Sequence, residues 1–338
     1  MKACRRFVWH VIGVISGVLV LRPVISCQAE EPVLKKIKVG ISALSPANAV
    51  PWVAKEGRIF EKYGLDAELI FVQGSAQGAQ ALIGGSLFVA PVVTPTVMNA
   101  ALGGADLVIL AHTLPGVVSR LMVKAEIKTV ADLRGKKIGA GRYGTLMDFL
   151  TRYILKKHGL QPDRDVAMLQ IDVGPELLQA LSAGAVDAAA LSHPAYSRAE
   201  KLGFHSLWDA RKEALFPFME VVIRRRTIRE DRDGLMQYMK AHLEGIKVFK
   251  SQKELSLNVM AKYLKISDRK LLEESYSLYA PDFISVPYPN TEGMKISFEY
   301  VALTKPEIMK HRAEEFVDSS FVADLDGSGF IQKLYSSK

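Results

Sequence analysis

The sequence predicts an α/β protein whose sheets are covered by helices and built as two similar lobes. Three observations lead there. Strand-like and helix-like segments alternate from Lys36 to Ile223, the pattern of helices packed on sheets. The alternation restarts near Val118, and 338 residues leave room for two domains. The segments Gln80–Ala90 and Gln179–Ala189 share five of eleven positions, and each ends a helix, turns on glycine and begins a strand. That echo fits two lobes of like construction, and equally a chance likeness of two helix–turn–strand units.

In order, Lys36 to Ile41 alternates as a half-buried strand. Ala47 to Tyr63 reads as one helix, with Val53, Ile59, Phe60 and Tyr63 on its apolar face and Gly64 as its stop. Asp66 to Val72 is a strand, and Gly74–Ser75 opens a second helix. Leu87 to Ala90 is short and apolar, Val92 to Leu102 helical, and Leu107 to Ala111 strand-like. In the second series, strands are expected at Val118–Val123, Lys136–Ala140, Val166–Ile171 and Asp187–Leu191. Helices are expected at Thr129–Leu133, Thr145–His158, Pro175–Ala183 and Pro194–Leu202. Thr129 with Asp132, and Thr145 with Asp148, have capping-box spacing. Met219 to Ile223 is one more strand, and after Thr227 the chain turns helix-rich. No low-complexity linker separates the halves, so a hinge would consist of strands that cross between them.

Apolar residues make up 49% and charged residues 24%, which excludes a disordered chain and a polytopic membrane protein. The net charge of +8 overstates the basicity of the folded part. Lys2, Arg5, Arg6 and Arg22 lie in the first 29 residues, where there is no acidic residue; the rest holds 40 basic residues against 36 acidic. That balance is a poor match for a nucleic-acid binder. Met1 to Arg6 is basic, and Phe7 to Leu21 is an uncharged, mostly apolar run of fifteen residues. It is shorter than the roughly 20 residues of a spanning helix, so residues 1–29 read as an export signal. Cleavage is expected after Ala29, or within the lipoprotein-like box Val24-Ile25-Ser26-Cys27, where lipidation would give Cys27 a purpose. The expected location is periplasmic. No cysteine follows Cys27, so the mature part has no internal disulfide and no cysteine-held metal.

No Walker loop, HExxH pair or GxSxG elbow occurs, and no two histidines lie three or four residues apart. Gly139-Ala140-Gly141-Arg142-Tyr143-Gly144 is formally GxGxxG between strand and helix. An acidic partner about 20 residues on, at the end of the next strand, is missing: Asp163 and Asp165 precede that strand and Asp172 comes too late. A glycine turn that presents a helix N-terminus to another ligand fits better. Asp324-Leu325-Asp326-Gly327-Ser328-Gly329 starts like a calcium loop, but the twelfth position is Tyr335 rather than Glu, so it reads as a polar turn. Arg224-Arg225-Arg226 is followed by Glu230, Asp231 and Asp233, the composition of a solvated mixed-charge surface.

Several segments resemble the extracytoplasmic substrate-binding proteins of nitrate, taurine and aliphatic-sulfonate ABC importers, which share a fold with thiamine-precursor binding proteins. They include AKEGRIFEKYGL, ADLRGKKIGA and ALSAGAVDAA with the proline that follows, within a likeness running from Lys36 to Tyr335. The resemblance implies a type II periplasmic binding fold: two lobes, each a mixed sheet flanked by helices, with a cleft between them and a helix-rich C-terminus. It implies one lobe of residues 33–115 plus 225–338 and an inserted lobe of residues 116–224. It also implies a non-catalytic, monomeric receptor without cofactor or metal, which delivers a small solute to an ABC permease with its cytoplasmic ATPase. Pyrimidine-precursor synthases share the fold and stand as the enzymatic alternative, although they use a cysteine cluster absent here. A receptor for a membrane sensor is the other alternative.

In open α/β sheets, ligands sit beyond the carboxyl ends of strands. The hydrogen-bonding side chains there are Ser45, Asn48, Ser75, Gln77, Thr94, Thr96, Arg142, Tyr143, Thr145, His193 and Tyr196, and Glu220 lies on the expected second crossover strand. Ser75 and Thr145 also suit helix caps. Arg142 would meet an oxyanion, or be an exposed loop arginine. Tyr143 and Tyr196 would stack on a planar solute or line a lobe. His193 would donate to ligand or be a buried histidine bonded to backbone. Glu220 would pair with an amino group or sit solvated at the hinge.

Overall fold

The computed structural model describes residues 8–11, 14–15, 18–19, 22–25, 33–143, 145–171, 175–213 and 217–336. The proposed cleavage and lipidation sites, Cys27 included, lie outside them, as do Gly144 and Asp172. The chain divides into a unit of residues 1–34 and a unit of residues 35–338. In the first, Val8–Val11 pairs antiparallel with Arg22–Ile25, and Val14–Ile15 with Val18–Leu19. Among the described residues no helix is long and apolar enough to cross a membrane.

The second unit contains two mixed sheets. In one, Lys35–Ile41 runs parallel to Leu65–Phe71, while Leu107–Leu114 runs antiparallel to Phe218–Arg224. The short segment near Val89 joins these pairs, since Val39 bridges Val89 and Ala90 bridges Val222. In the other sheet the order is Ala167–Leu169, Lys137–Gly139, Ala188–Ser192, Ser119–Val123, His205–Asp209. The first three strands are parallel and the last two pairings antiparallel. The edge strand His205–Asp209 was not expected, because its five residues lack a clear alternation. It is held by pairing to Ser119–Val123 and by burial of Trp208.

The α/β class and the helix-rich C-terminal part are as the sequence predicts. Helices Arg232–Ser251, Lys253–Leu264 and Arg269–Tyr279 follow one another, and the long Arg232–Ser251 packs its Leu235, Met239, Leu243 and Phe249 face into the core. The expected single helix Ala47–Tyr63 is instead three pieces: a 3-10 turn Pro46–Asn48, helix Ala49–Glu56 and helix Ile59–Lys62. The break falls at Arg58, whose φ of 53° is left-handed and incompatible with a continuous helix. The apolar spacing persisted through the break because both helices bury the same face, with Val53, Ile59 and Phe60 all in one core.

Around the second sheet, Leu121, Ile138, Leu150, Ile154 and Trp208 form a separate apolar core. Gly139 shows why the Gly-rich turn is there: a Cβ on it would lie 2.5 Å from Leu177 Cδ1. That glycine lets helix Pro175–Ser182 approach the strand end, which is a packing role.

Candidate functional site

Four helices begin at one small cavity beyond the carboxyl ends of strands. Its volume is about 80 Å³. Ser45, Ala47 and Asn48 come from the turn that leads into helix Ala49–Glu56; Gly74 and Ser75 open helix Gly74–Ile83; Val93 precedes helix Thr94–Leu102; Thr145 precedes helix Leu146–Lys157. Helix starts carry unsatisfied N–H groups and the positive end of the helix dipole. The rest of the wall includes Ser42, Val117, Val118, Met147, Ser192, Phe218 and Tyr279. Among the described residues no charged side chain lines it.

Four of the wall hydroxyls have a defined local role. Ser45 Oγ accepts from Ala47 N at 3.4 Å, and Ser75 Oγ accepts from Val93 N at 3.1 Å. Thr145 caps its helix: Oγ1 accepts from Asp148 N at 3.4 Å and donates to Arg142 O at 2.7 Å. Tyr279 hydrogen-bonds Ser45, and burial keeps its phenol protonated well above the ordinary range. Gly74 has φ of +79°, and a Cβ there would stand 2.7 Å from Thr145 Cγ2. The two helix entrances therefore touch across the cavity, and only glycine satisfies both the backbone and the approach.

Of the residues singled out from sequence, the cavity gathers Ser45, Asn48, Ser75 and Thr145. The others lie elsewhere. Glu220 is 2% exposed and accepts from Thr94 N at 2.8 Å and Thr94 Oγ1 at 2.9 Å. These two residues tie the strand Phe218–Arg224 to the start of helix Thr94–Leu102. Burial pushes the Glu220 carboxyl up to about 7, against the lowering effect of those donors. His193 is buried, with Nδ1 3.0 Å from Ser275 Oγ and its ring edge-on to Tyr196; burial lowers its pKa to about 4. Tyr196 is also buried, beneath the Arg120 guanidinium at 4.4 Å. Tyr143 is 53% exposed and carries the Arg152 guanidinium 5.0 Å from its ring, and Arg142 beside it is exposed. Exposed Gln77 accepts from Gln73 N through Oε1 at 3.0 Å. Thr96 lines a separate groove with Arg152 and Tyr300.

Sequence reasoning missed Phe218 and Tyr279. Phe218 begins the strand Phe218–Arg224, and Tyr279 ends a helix far along the chain; each carries the signature of an ordinary core residue. A larger groove of about 810 Å³ is lined by Lys35, Lys36, Lys38, Lys55 and Arg224. It lies at the amino end of the strand Lys35–Ile41, opposite the end where α/β sheets bind ligands. It is also partly neutralised, Lys35 pairing with Asp231 and Lys55 with Asp66.

A profile of the NMT1-like family matches residues 30–264. A protein of Brucella abortus (strain 2308), named only as a binding protein, is 29% identical over 244 residues, covering 71% of this chain and 75% of the relative. Among solved structures, the alkanesulfonate-binding protein SsuA of Xanthomonas axonopodis pv. citri superposes with a TM-score of 0.68 at 21% identity, covering 86% of this chain and 99% of that one. The periplasmic nitrate-binding protein NrtA of Synechocystis PCC 6803 gives 0.71 at 13% identity, covering 88% and 90%. The fold is thus that of the periplasmic binding proteins, as the family resemblance implied.

Proposed function

The chain belongs to the NMT1-like family, and from that premise we propose that it is an extracytoplasmic solute-binding protein of an ABC importer. Residues 1–29 direct export. Residues 33–115 with 225–338 form one lobe, residues 116–224 the other, and the strands Leu107–Leu114 and Phe218–Arg224 cross between them. The solute stabilises a closed arrangement by touching both lobes. A membrane permease then receives it unaltered, and the receptor works as a monomer.

The observation that carries this reading is the cavity at which four helices begin, with Gly74 against Thr145. Such a site offers backbone N–H groups and hydroxyls, mostly donors, and among the described residues no fixed side-chain charge. It favours a compact, acceptor-rich solute such as a sulfonate, nitrate or carboxylate, whose charge the helix ends meet. SsuA and NrtA bear names of that ligand class.

Thermal-shift measurements on the exported protein with alkanesulfonates, taurine, nitrate, carboxylates and aminopyrimidines test it. A ligand at about 100 times its Kd stabilises by about 2.7 kcal/mol, a shift of several degrees. A rise with one of the first four classes is expected. A rise with aminopyrimidines alone, or turnover of any of these compounds, would overturn the reading.

A further inference from the structure

Behind the cleft cavity lies a second one of about 20 Å³, and Asn48 lines both. Tyr238 and His242, from the long helix Arg232–Ser251, line the inner cavity together with the buried Thr113 and Glu220. Asn48 is 2% exposed and His242 6%. Asn48 Oδ1 and His242 Nε2 are both buried with no hydrogen-bond partner among the described residues. An unpaired buried polar atom costs about 1–3 kcal/mol, so two at one cavity call for a shared partner. The volume suits one: a water needs roughly 10–15 Å³ and two to four polar neighbours.

The Tyr238 hydroxyl lies 3.4 Å from His242 Nδ1. Burial keeps that phenol protonated, above its ordinary range, and keeps the imidazole neutral by lowering its pKa to about 4. A neutral ring beside a protonated phenol admits two arrangements, and the one in which Tyr238 donates to Nδ1 leaves the ring's own proton on Nε2.

We propose that the inner cavity is a binding site for a single water molecule, which accepts from His242 Nε2–H and donates to Asn48 Oδ1. With Oδ1 committed inward, the Asn48 amide presents its NH2 edge to the cleft. Asn48 is then a specificity-determining donor, set in orientation by a histidine that does not line the cleft cavity. It selects for acceptor groups on the solute and against amines, a consequence that rests on the solute-binding reading. The water site itself does not.

Two measurements test the site without any solute. A crystal structure of the exported chain should show one ordered water within about 2.7–3.2 Å of both atoms. An inner cavity without that water, or Asn48 Oδ1 bonded to a protein group, overturns the site. Nitrogen-15 spectra of labelled histidines should show His242 as the neutral Nε2–H tautomer at pH 7, and Tyr238→Phe should mix the tautomers. An Nδ1–H tautomer in the unmodified protein overturns the proposed relay. For the consequence, Asn48→Asp exchanges donor for acceptor and should weaken binding of the solute found by thermal shift about tenfold or more. Unchanged binding overturns the specificity role, and since the first two readouts need no ligand, their failure is separable from failure of the importer reading.

Discussion

The helix entrance at Gly74–Ser75 and the one at Thr145 face the same cavity but are held differently. Thr145 is fixed by its own neighbours: Arg142 three residues before it and Asp148 three residues after. Ser75 is fixed by Val93, 18 residues away, where another helix starts. Thr145 behaves as a self-contained cap, whereas Ser75 is a clasp between two helix starts. A local cap can be read from spacing; a clasp cannot, because its partner is chosen by the fold.

The contrast is open to attack at several points, the most damaging being Gly74→Ala. It forces a side chain onto a left-handed backbone and into Thr145 Cγ2. Loss of the solute-induced thermal shift and a fall in Tm are expected. The double variant Gly74→Ala/Thr145→Ser removes the clashing methyl and should recover part of both. If it recovers nothing, the close approach is not what constrains this position.

Next in size is Ser75→Ala, which leaves the buried Val93 N–H without its acceptor and should cost about 1–3 kcal/mol in denaturant unfolding. Thr145→Ala removes an N-cap and should cost about 1 kcal/mol. Should Thr145→Ala prove the costlier, the distinction between clasp and cap fails.

The pH dependence sets two kinds of group against each other. Burial lowers His193 and His242 from 6.5 to about 4, and His112 to about 3. Their folded pKa values lie below the unfolded ones, so the unfolded state binds more protons and stability falls as pH drops below about 6.5. Glu220 has the opposite sign. Its pKa is raised from 4.5 to about 7, so it favours the folded state at acid pH and loses that contribution as pH rises through 7. Tm should fall between pH 6 and pH 4, since three histidines oppose one carboxylate. Glu220→Gln should steepen the fall, and a parallel profile would show that Glu220 titrates normally.

Much of the fold was legible because its signals are local. Periodicity of two and of 3.6 places nearly every strand and helix between Lys36 and Ile223, while the rest was marked only as helix-rich, and Thr129–Asp132 forms the capping box its spacing suggests. The Ala47–Tyr63 reading failed at Arg58, because a break that keeps the same face buried leaves the apolar spacing intact. The site was legible only in outline. The rule that ligands lie beyond strand ends reached Ser45, Asn48, Ser75 and Thr145, and it also swept in Gln77, Thr96 and Tyr143, which share the location but not the cavity.

What the sequence determined by itself is the α/β alternation, the helical C-terminal part, the caps and the family likeness, all properties of residues close together in the chain. The tertiary structure alone decided that Glu220 meets Thr94 and the inner cavity rather than the one where the helices begin, that Tyr279 reaches the wall of the latter, and that Asn48 lines both. The physical reason is that a side chain's surroundings in an α/β core are set by which strands lie side by side and how closely helices cover them. Those contacts join residues far apart in sequence and leave no periodic trace along it.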